Sequence, residues 1–263
     1  MSQTLKGRCA VVTGSTSGIG LAIARALAGE GASVMLNGFG DPAEIERLRS
    51  SLSSETGSNV AYNGADMRNP DQVAALVREA ESALGSVDIL VNNAGFQHVS
   101  PVDQFPEETW EGIQDVILNS TFHTIKAALP GMKRRGWGRI INIASAHGLV
   151  ASPFKSAYVA AKHGQVGLTR TVALEVAEAG ITCNAICPGY VRTPLVEGQI
   201  DAQAKAHGLP RERVLRDVIL AVQPTKRLIE PGEIAALAVF LCGDMARSIT
   251  GAAIAIDGGW TAR

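Results

Sequence analysis

Short apolar runs alternate with helical stretches along the whole chain. Cys9–Thr13, Val34–Leu36, Val60–Tyr62, Val87–Val91, Arg139–Ile143, Ile181–Cys187 and Ala252–Ile256 read as strands. Ile19, Ile23 and Leu27 recur at helical spacing, and Gly29 and Gly31 close that helix. Pro42–Leu52 predicts a polar-faced helix, and Asp71–Leu84 one opened by an Asn-Pro-Asp start signal. Glu107–Leu118, Ser120–Arg135, Ser156–Glu178 and Gly232–Cys242 follow as helices. Strands apolar on both faces, each followed by a helix, predict a parallel sheet covered on both sides. No linker breaks the chain. The expectation is one doubly wound α/β domain over 1–263, with the more polar stretch 190–222 as a helical insertion over the substrate.

Composition agrees and narrows the class. Of 263 residues, 46% are hydrophobic and 19% charged, which excludes disorder. There are 28 glycines where average usage gives about 18, so turns that need glycine are expected. A net charge of −1 and no basic run offer nothing to nucleic acid, and no stretch reaches the ~18 apolar residues of a membrane span. The four cysteines show no metal-ligand spacing. The expectation is a cytoplasmic protein with reduced thiols and no metal.

Candidate chemistry begins in the turn Thr13-Gly14-Ser15-Thr16-Ser17-Gly18-Ile19-Gly20, between the first strand and the first helix. Gly14 allows a sharp turn, Gly18 lets backbone N–H groups reach a pyrophosphate, and Gly20 permits close helix–strand contact. A helix N-terminus is a ready anion site. The spacing is neither G-x-G-x-x-G nor a triphosphate-binding loop. The second strand ends at Asn37-Gly38-Phe39-Gly40, with neither the usual ribose-binding acid nor a cation for a 2′-phosphate. Lack of the cation favours NAD over NADP. Asp66, after the third strand, reads equally as an adenine partner or a capping residue.

Tyr158 and Lys162 lie four apart and share a helix face. A nearby ammonium favours the phenolate, which is how a tyrosine becomes a base near neutral pH. Ser145 follows the fifth strand, at the sheet end where ligands bind. Asn119, inside a helical run, reads alone as a solvent-facing or helix-bending amide. The absence of G-x-S-x-G disfavours a hydrolase. Lys155 joins Tyr158 and Lys162 at helical steps, and His147 lies two residues past Ser145; the set suits a small carboxylate, while Lys155 reads equally as a solvated lysine at a helix start.

Together, Thr13-Gly14-x3-Gly18-x-Gly20, Asn92-Asn93-Ala94-Gly95, Asn119, Ser145, Tyr158-x3-Lys162 and Pro188-Gly189 resemble the short-chain dehydrogenase/reductase family over essentially the whole chain. The resemblance implies a Rossmann-type sheet of about seven strands, and a homotetramer. It makes Tyr158 the acid–base and Ser145 the holder of the reacting oxygen. Lys162 would bind the cofactor ribose and lower the Tyr158 pKa, and Asn119 would anchor a relay water. Around NAD it implies Gly14, Thr16, Ser17, Gly18, Ile19 and Gly20 at the phosphates. Phe39 and Asp66 would stand at the adenosine; Asn92, Ala94, Gly95, Pro188, Gly189, Val191 and Thr193 would line the rest. Phe96-Gln97-His98, Ala144–Val150, Lys155, Arg192–Glu197 and Asp257–Arg263 are similar to bacterial members that interconvert D-3-hydroxybutyrate and acetoacetate. There Gln97, His147, Lys155 and Gln199 would hold the carboxylate, with Tyr190 as an aromatic wall. Phe96 and Tyr190 depart from residues common in that group.

Overall fold

The structure, a computed structural model, describes residues 3–262, apart from the side chains of Leu195, Ala202, Gln203, Ala206 and His207. The apolar runs become β1 (Cys9–Val12), β2 (Ser33–Asn37), β3 (Val60–Asn63), β4 (Ile89–Asn92), β5 (Gly138–Ile143), β6 (Ile181–Pro188) and β7 (Ala253–Ile256). All pair in parallel, in the order β3-β2-β1-β4-β5-β6-β7. The chain lays β2 and β3 to one side of β1, then returns to place β4 on the other. The crevice beyond the carboxyl ends of β1 and β4 is therefore a topological switch point.

Helices α1 (Gly18–Gly29), α2 (Pro42–Thr56), α3 (Pro70–Leu84), α4 (Glu107–Gln114), α5 (Ser120–Arg135) and α6 (Ser156–Glu175) alternate with the strands. Side chains of β1 alternate between two cores. Ala10 and Val12 pack with Leu27 of α1 and Leu241, while Val11 packs with Leu76 of α3 and Met132 of α5. Each fully buried Val or Leu contributes about 1.5–3 kcal/mol.

Local differences from the sequence pattern have physical causes. β4 starts at Ile89 rather than Val87, because the buried Asp88 carboxylate accepts from the Cys9 N–H at 3.1 Å and Arg135 Nε at 2.9 Å. α6 ends at Glu175, and a 3₁₀ turn over Ala177–Ala179 runs to the left-handed Gly180 before β6. The two helices around Asn119 form one run, joined by a π-helical turn at Asp115–Asn119.

Beyond β6 the chain forms α7 (Pro194–His207), the one-turn α8 (Arg211–Arg213), a π turn and a 3₁₀ turn. This stretch has a small core of Ile200, Val214, Ile219, Leu220 and Leu228. The buried Gln223 ties its two ends together. Its Oε1 accepts from the Tyr190 N–H at 3.1 Å and its Nε2 donates to the Arg227 carbonyl at 2.5 Å. α9 (Pro231–Cys242) returns the chain to β7.

Candidate active site

The turn after β1 is built from main chain. Gly14 is left-handed (φ +60°), and a Cβ there would lie 2.9 Å from Ala94 Cα. A Cβ at Gly20 would strike the Gly14 carbonyl oxygen and come within 2.5 Å of Asn93 Nδ2. The closeness Gly20 permits is therefore the first turn of α1 against the loops at Gly14 and Asn93 rather than helix against strand. Asn93 Nδ2 fastens this arrangement by donating to the Thr13 and Gly14 carbonyls, each at 2.9 Å. No side chain caps the N-terminus of α1 at Ser17, and Ser17, Gly18 and Ile19 face a cavity of about 300 Å³. An uncapped helix start with open backbone donors fits a pyrophosphate.

A neighbouring cavity of about 670 Å³ continues from Gly14, Thr16 and Ser17 to Phe39, Asp66, Ala94 and Gly95. Phe39 is exposed, and its carbonyl accepts the Thr16 hydroxyl at 3.1 Å. The buried Asn37 side chain donates to the Asn63 and Ala65 carbonyls, and its oxygen accepts from the Gly14 N–H. One expectation is corrected here: a cation does stand at this cavity. Arg68 lines it, reaching in from beyond β3 rather than from the end of β2. Its guanidinium pairs with Asp66 at 2.7 Å and holds that carboxyl below its ordinary value.

Ser145, Tyr158 and Lys162 meet on the wall of the smaller cavity, together with Gln97, Pro188, Gly189 and Thr193. Ser145 leaves β5 in extended conformation, and its oxygen accepts the His147 N–H at 3.1 Å. Burial pushes the Tyr158 phenol up to about 12, against a hydrogen bond with the Ser145 side chain. Burial brings Lys162 down to about 7. Lys162 Nζ lies 5.6 Å from the centre of the Tyr158 ring and donates to the Ile143 carbonyl at 2.6 Å. Desolvation is the largest influence on the Tyr158 phenol, and the Lys162 ammonium donates to the Ile143 carbonyl and to Gln165.

Asn119 stands apart. Its exposed amide donates to Asp115 Oδ1 at 2.7 Å, so the solvent-facing reading of this residue describes its side chain. Asn92 also differs from expectation. It is buried, donating to Asn142 Oδ1 at 2.9 Å and accepting from Thr124 Oγ1 at 2.6 Å; Asn93, one residue on, lines the cavities. Successive side chains at a strand end turn opposite ways. Val191 is buried in a bridge to Ile229, and Gln199 is half-buried on α7; neither lines the two cavities.

Around Tyr158 lies an aromatic wall. His147 meets the Tyr158 ring edge-on at 5.9 Å and the Trp260 ring at 4.8 Å. Trp260 stacks on Tyr190 with centroids 5.7 Å apart and planes 5° from parallel. Lys155 Nζ lies 5.7 Å from the Tyr190 ring centre. Ser152 Oγ is 2.9 Å from His147 Nε2. Burial, reinforced by the Lys155 charge, pushes the imidazole down to about 4, so it is neutral near pH 7.

Comparison with known proteins places this geometry. A family model described as enoyl-(acyl carrier protein) reductase matches residues 14–261. D-beta-hydroxybutyrate dehydrogenase of Rhizobium meliloti is 56% identical over 97% of this chain and 99% of that protein. The protein of the same name from Cupriavidus necator is 52% identical over 98% of this chain and 100% of its own. The chain is a short-chain dehydrogenase/reductase. The crystal structure of L-sorbose reductase from Gluconobacter frateurii, complexed with NADPH and L-sorbose, superposes with a TM-score of 0.94. It is 32% identical, with 100% of both chains covered. As a short-chain dehydrogenase/reductase, the chain is an oxidoreductase.

Sequence reasoning missed three residues of this short-chain dehydrogenase/reductase site. Arg68 carried no local signal. Trp260, 8% exposed, packs between the His147 and Tyr190 rings, a contact no local spacing announces. Gln165 was legible in principle, because Lys162, Gln165 and Thr169 place three polar groups on one helix face.

Proposed function

We propose that this enzyme oxidises D-3-hydroxybutyrate to acetoacetate, reversibly and with NAD. The observation that carries the reading is the contact chain from Tyr158 through His147, Trp260 and Tyr190 to Lys155. It sets one cation and one neutral imidazole beside the acid–base group, at a spacing that suits a short acid anion. Lys155 and His147, with Gln97 and Gln199, bind the carboxylate; Tyr190 and Trp260 bound the methyl end. Such a wall would gain little from a sugar.

Bound NAD supplies the hydride acceptor. The turn Gly14–Gly20 holds its phosphates, and Phe39 and Asp66 flank the adenosine. Ser145 orients the hydroxyl of the substrate. In reduction Tyr158 gives its proton to the reacting oxygen, for which the high-pKa phenol is already loaded; in oxidation it first loses that proton toward Lys162 and then, as the phenolate, takes the hydroxyl proton. Lys162 lowers the cost of the phenolate and passes the proton on, with an Asn119-held water as the outlet. The stretch 190–222 acts as a lid that excludes water. The test is initial rates on D- and L-3-hydroxybutyrate, each with NAD and NADP. Turnover confined to the D acid with NAD is expected; equal rates with the L acid overturn the substrate.

Arg68 favours a second reading, in which NADP is the cofactor. Its pairing with Asp66 supports NAD, because a 2′-phosphate would have to compete with that carboxylate. A kcat/KM higher with NADP reverses the choice. Self-association as a homotetramer belongs to the same reading. A groove of about 410 Å³ between α5 and α6, lined by Phe122, Leu129, Leu168 and Val172, supports it. Light scattering tests the assembly. Free thiols at all four cysteines support a cytoplasmic location. Among the described residues, no helix is long and apolar enough to cross a membrane.

A further inference from the structure

Lys162 is 3% exposed, and an ammonium has three N–H bonds to place. One goes to the Ile143 carbonyl, and another to Gln165 Oε1 at 3.2 Å. Gln165 is itself 1% exposed, one helical turn further along α6. Its Nε2 donates to Thr121 Oγ1 on α5 at 2.9 Å. The Thr121 hydroxyl spends its proton on the Ile117 carbonyl at 2.7 Å. That ordering fixes the amide. Thr121 can only accept from Gln165, so Gln165 must turn its oxygen to the lysine. The backbone carbonyl of Gln165 also accepts from Thr169 Oγ1, and Thr169 leads through Asn142 to Asn92. A buried amide with both ends bonded is held rigidly; with one end free it costs about 1–3 kcal/mol.

The groups around Lys162 make this contact consequential. Tyr158 lies one turn before it on α6, His147 stands beyond the Tyr158 ring, and Cys187 of β6 faces it as a buried thiol. Among the described residues, no carboxylate hydrogen-bonds to Lys162. Its charged form therefore depends on two neutral acceptors, of which Gln165 is the one supplied by a side chain.

We propose that Gln165 is a positioning residue for proton transfer, holding the Lys162 ammonium beneath Tyr158 in a place fixed by Thr121. The role rests on the dehydrogenase reading above, in which Lys162 serves Tyr158. Loss of the acceptor disfavours the ammonium, and a carboxylate in the same place favours it.

The test compares wild type with Gln165→Leu and Gln165→Glu. The Lys162 titration is followed by NMR on lysine-labelled protein, assigned with Lys162→Met. The midpoint is expected to fall by about one pH unit in the first variant and rise by at least as much in the second. The kcat–pH profile for D-3-hydroxybutyrate is expected to move with it. At pH 7, kcat in Gln165→Leu should fall about tenfold, with the KM for the hydroxy acid within about twofold. A merely structural role would lower the rate equally at every pH. Coincident midpoints in all three proteins overturn the proposal. Should Gln165→Leu not fold, Thr121→Val unseats the amide and must shift the midpoint in the same direction. If wild type leaves 3-hydroxybutyrate unreacted, the substrate reading fails, while the NMR titration still decides the role of Gln165.

Discussion

The two halves of the cleft are made of different material. The half proposed for the cofactor is mostly backbone: an uncapped helix start, glycines in contact with carbonyls, and Asn93 binding main chain. The half proposed for the substrate is mostly side chains, with His147, Lys155, Tyr190 and Trp260 meeting from four separate segments. Backbone sites depend on spacing and tolerate little added volume. Side-chain sites depend on which rotamers the packing allows, and one substitution changes affinity without unmaking the fold.

The largest effect should come where the two halves meet. Tyr158→Phe is expected to lower kcat about 10³-fold while NAD still binds, since positioned acid–base groups contribute about 10²–10⁴-fold. Near-normal turnover would mean that neither half relies on this hydroxyl. Next is acid stability. His147 has its pKa lowered to about 4 in the fold, so on acidification the unfolded chain takes up its proton first. Stability is full above about pH 6.5 and drops by up to about 3 kcal/mol as pH falls toward 4. The Glu46 and Glu233 carboxylates, held down near 2 by arginines, add their losses only below about 4.5. Denaturant titrations of wild type and His147→Gln between pH 6.5 and 4.5 should therefore differ in slope; parallel slopes would place the imidazole in water.

Gly20→Ala should weaken NAD binding about tenfold to a hundredfold, matching an overpacking cost of about 1–3 kcal/mol. Cofactor calorimetry that finds no change would show that the loop yields, which blurs the contrast between the halves. The smallest effect is Lys155→Ala. It should raise the KM for the hydroxy acid about tenfold and leave the KM for NAD alone. A rise in the NAD value instead would move Lys155 to the other half.

The same contrast explains what could be read from the chain. Alternating runs predicted the seven strands and their helices, and local spacing announced Gly14–Gly20 and the Tyr158–Lys162 pair. Each of these signals lies within one element or one turn. Arg68 was hidden, because its approach to the β2 end depends on how β3 lies beside β2. Asn92 and Asn93 exchanged places, since one residue at a strand end decides which layer a side chain enters. Trp260 needed the C-terminal turn to fold back over β6, which no window of sequence contains. Gln165 sits on a helix face where periodicity predicts apolar residues. Its bonds with Lys162 and Thr121 explain its presence there.

The strand order has a consequence for synthesis. A chain emerging from the ribosome makes β1, β2 and β3 first, and each can join the one before it. From β4 onward, every new strand finds its edge already built, ending with β7 on β6. The nucleotide-binding turn is thus in place early, whereas the stack of Tyr190 on Trp260 cannot form until almost the last described residue has emerged. A nascent chain could form the phosphate turn long before it could close the wall proposed to distinguish one hydroxy acid from another.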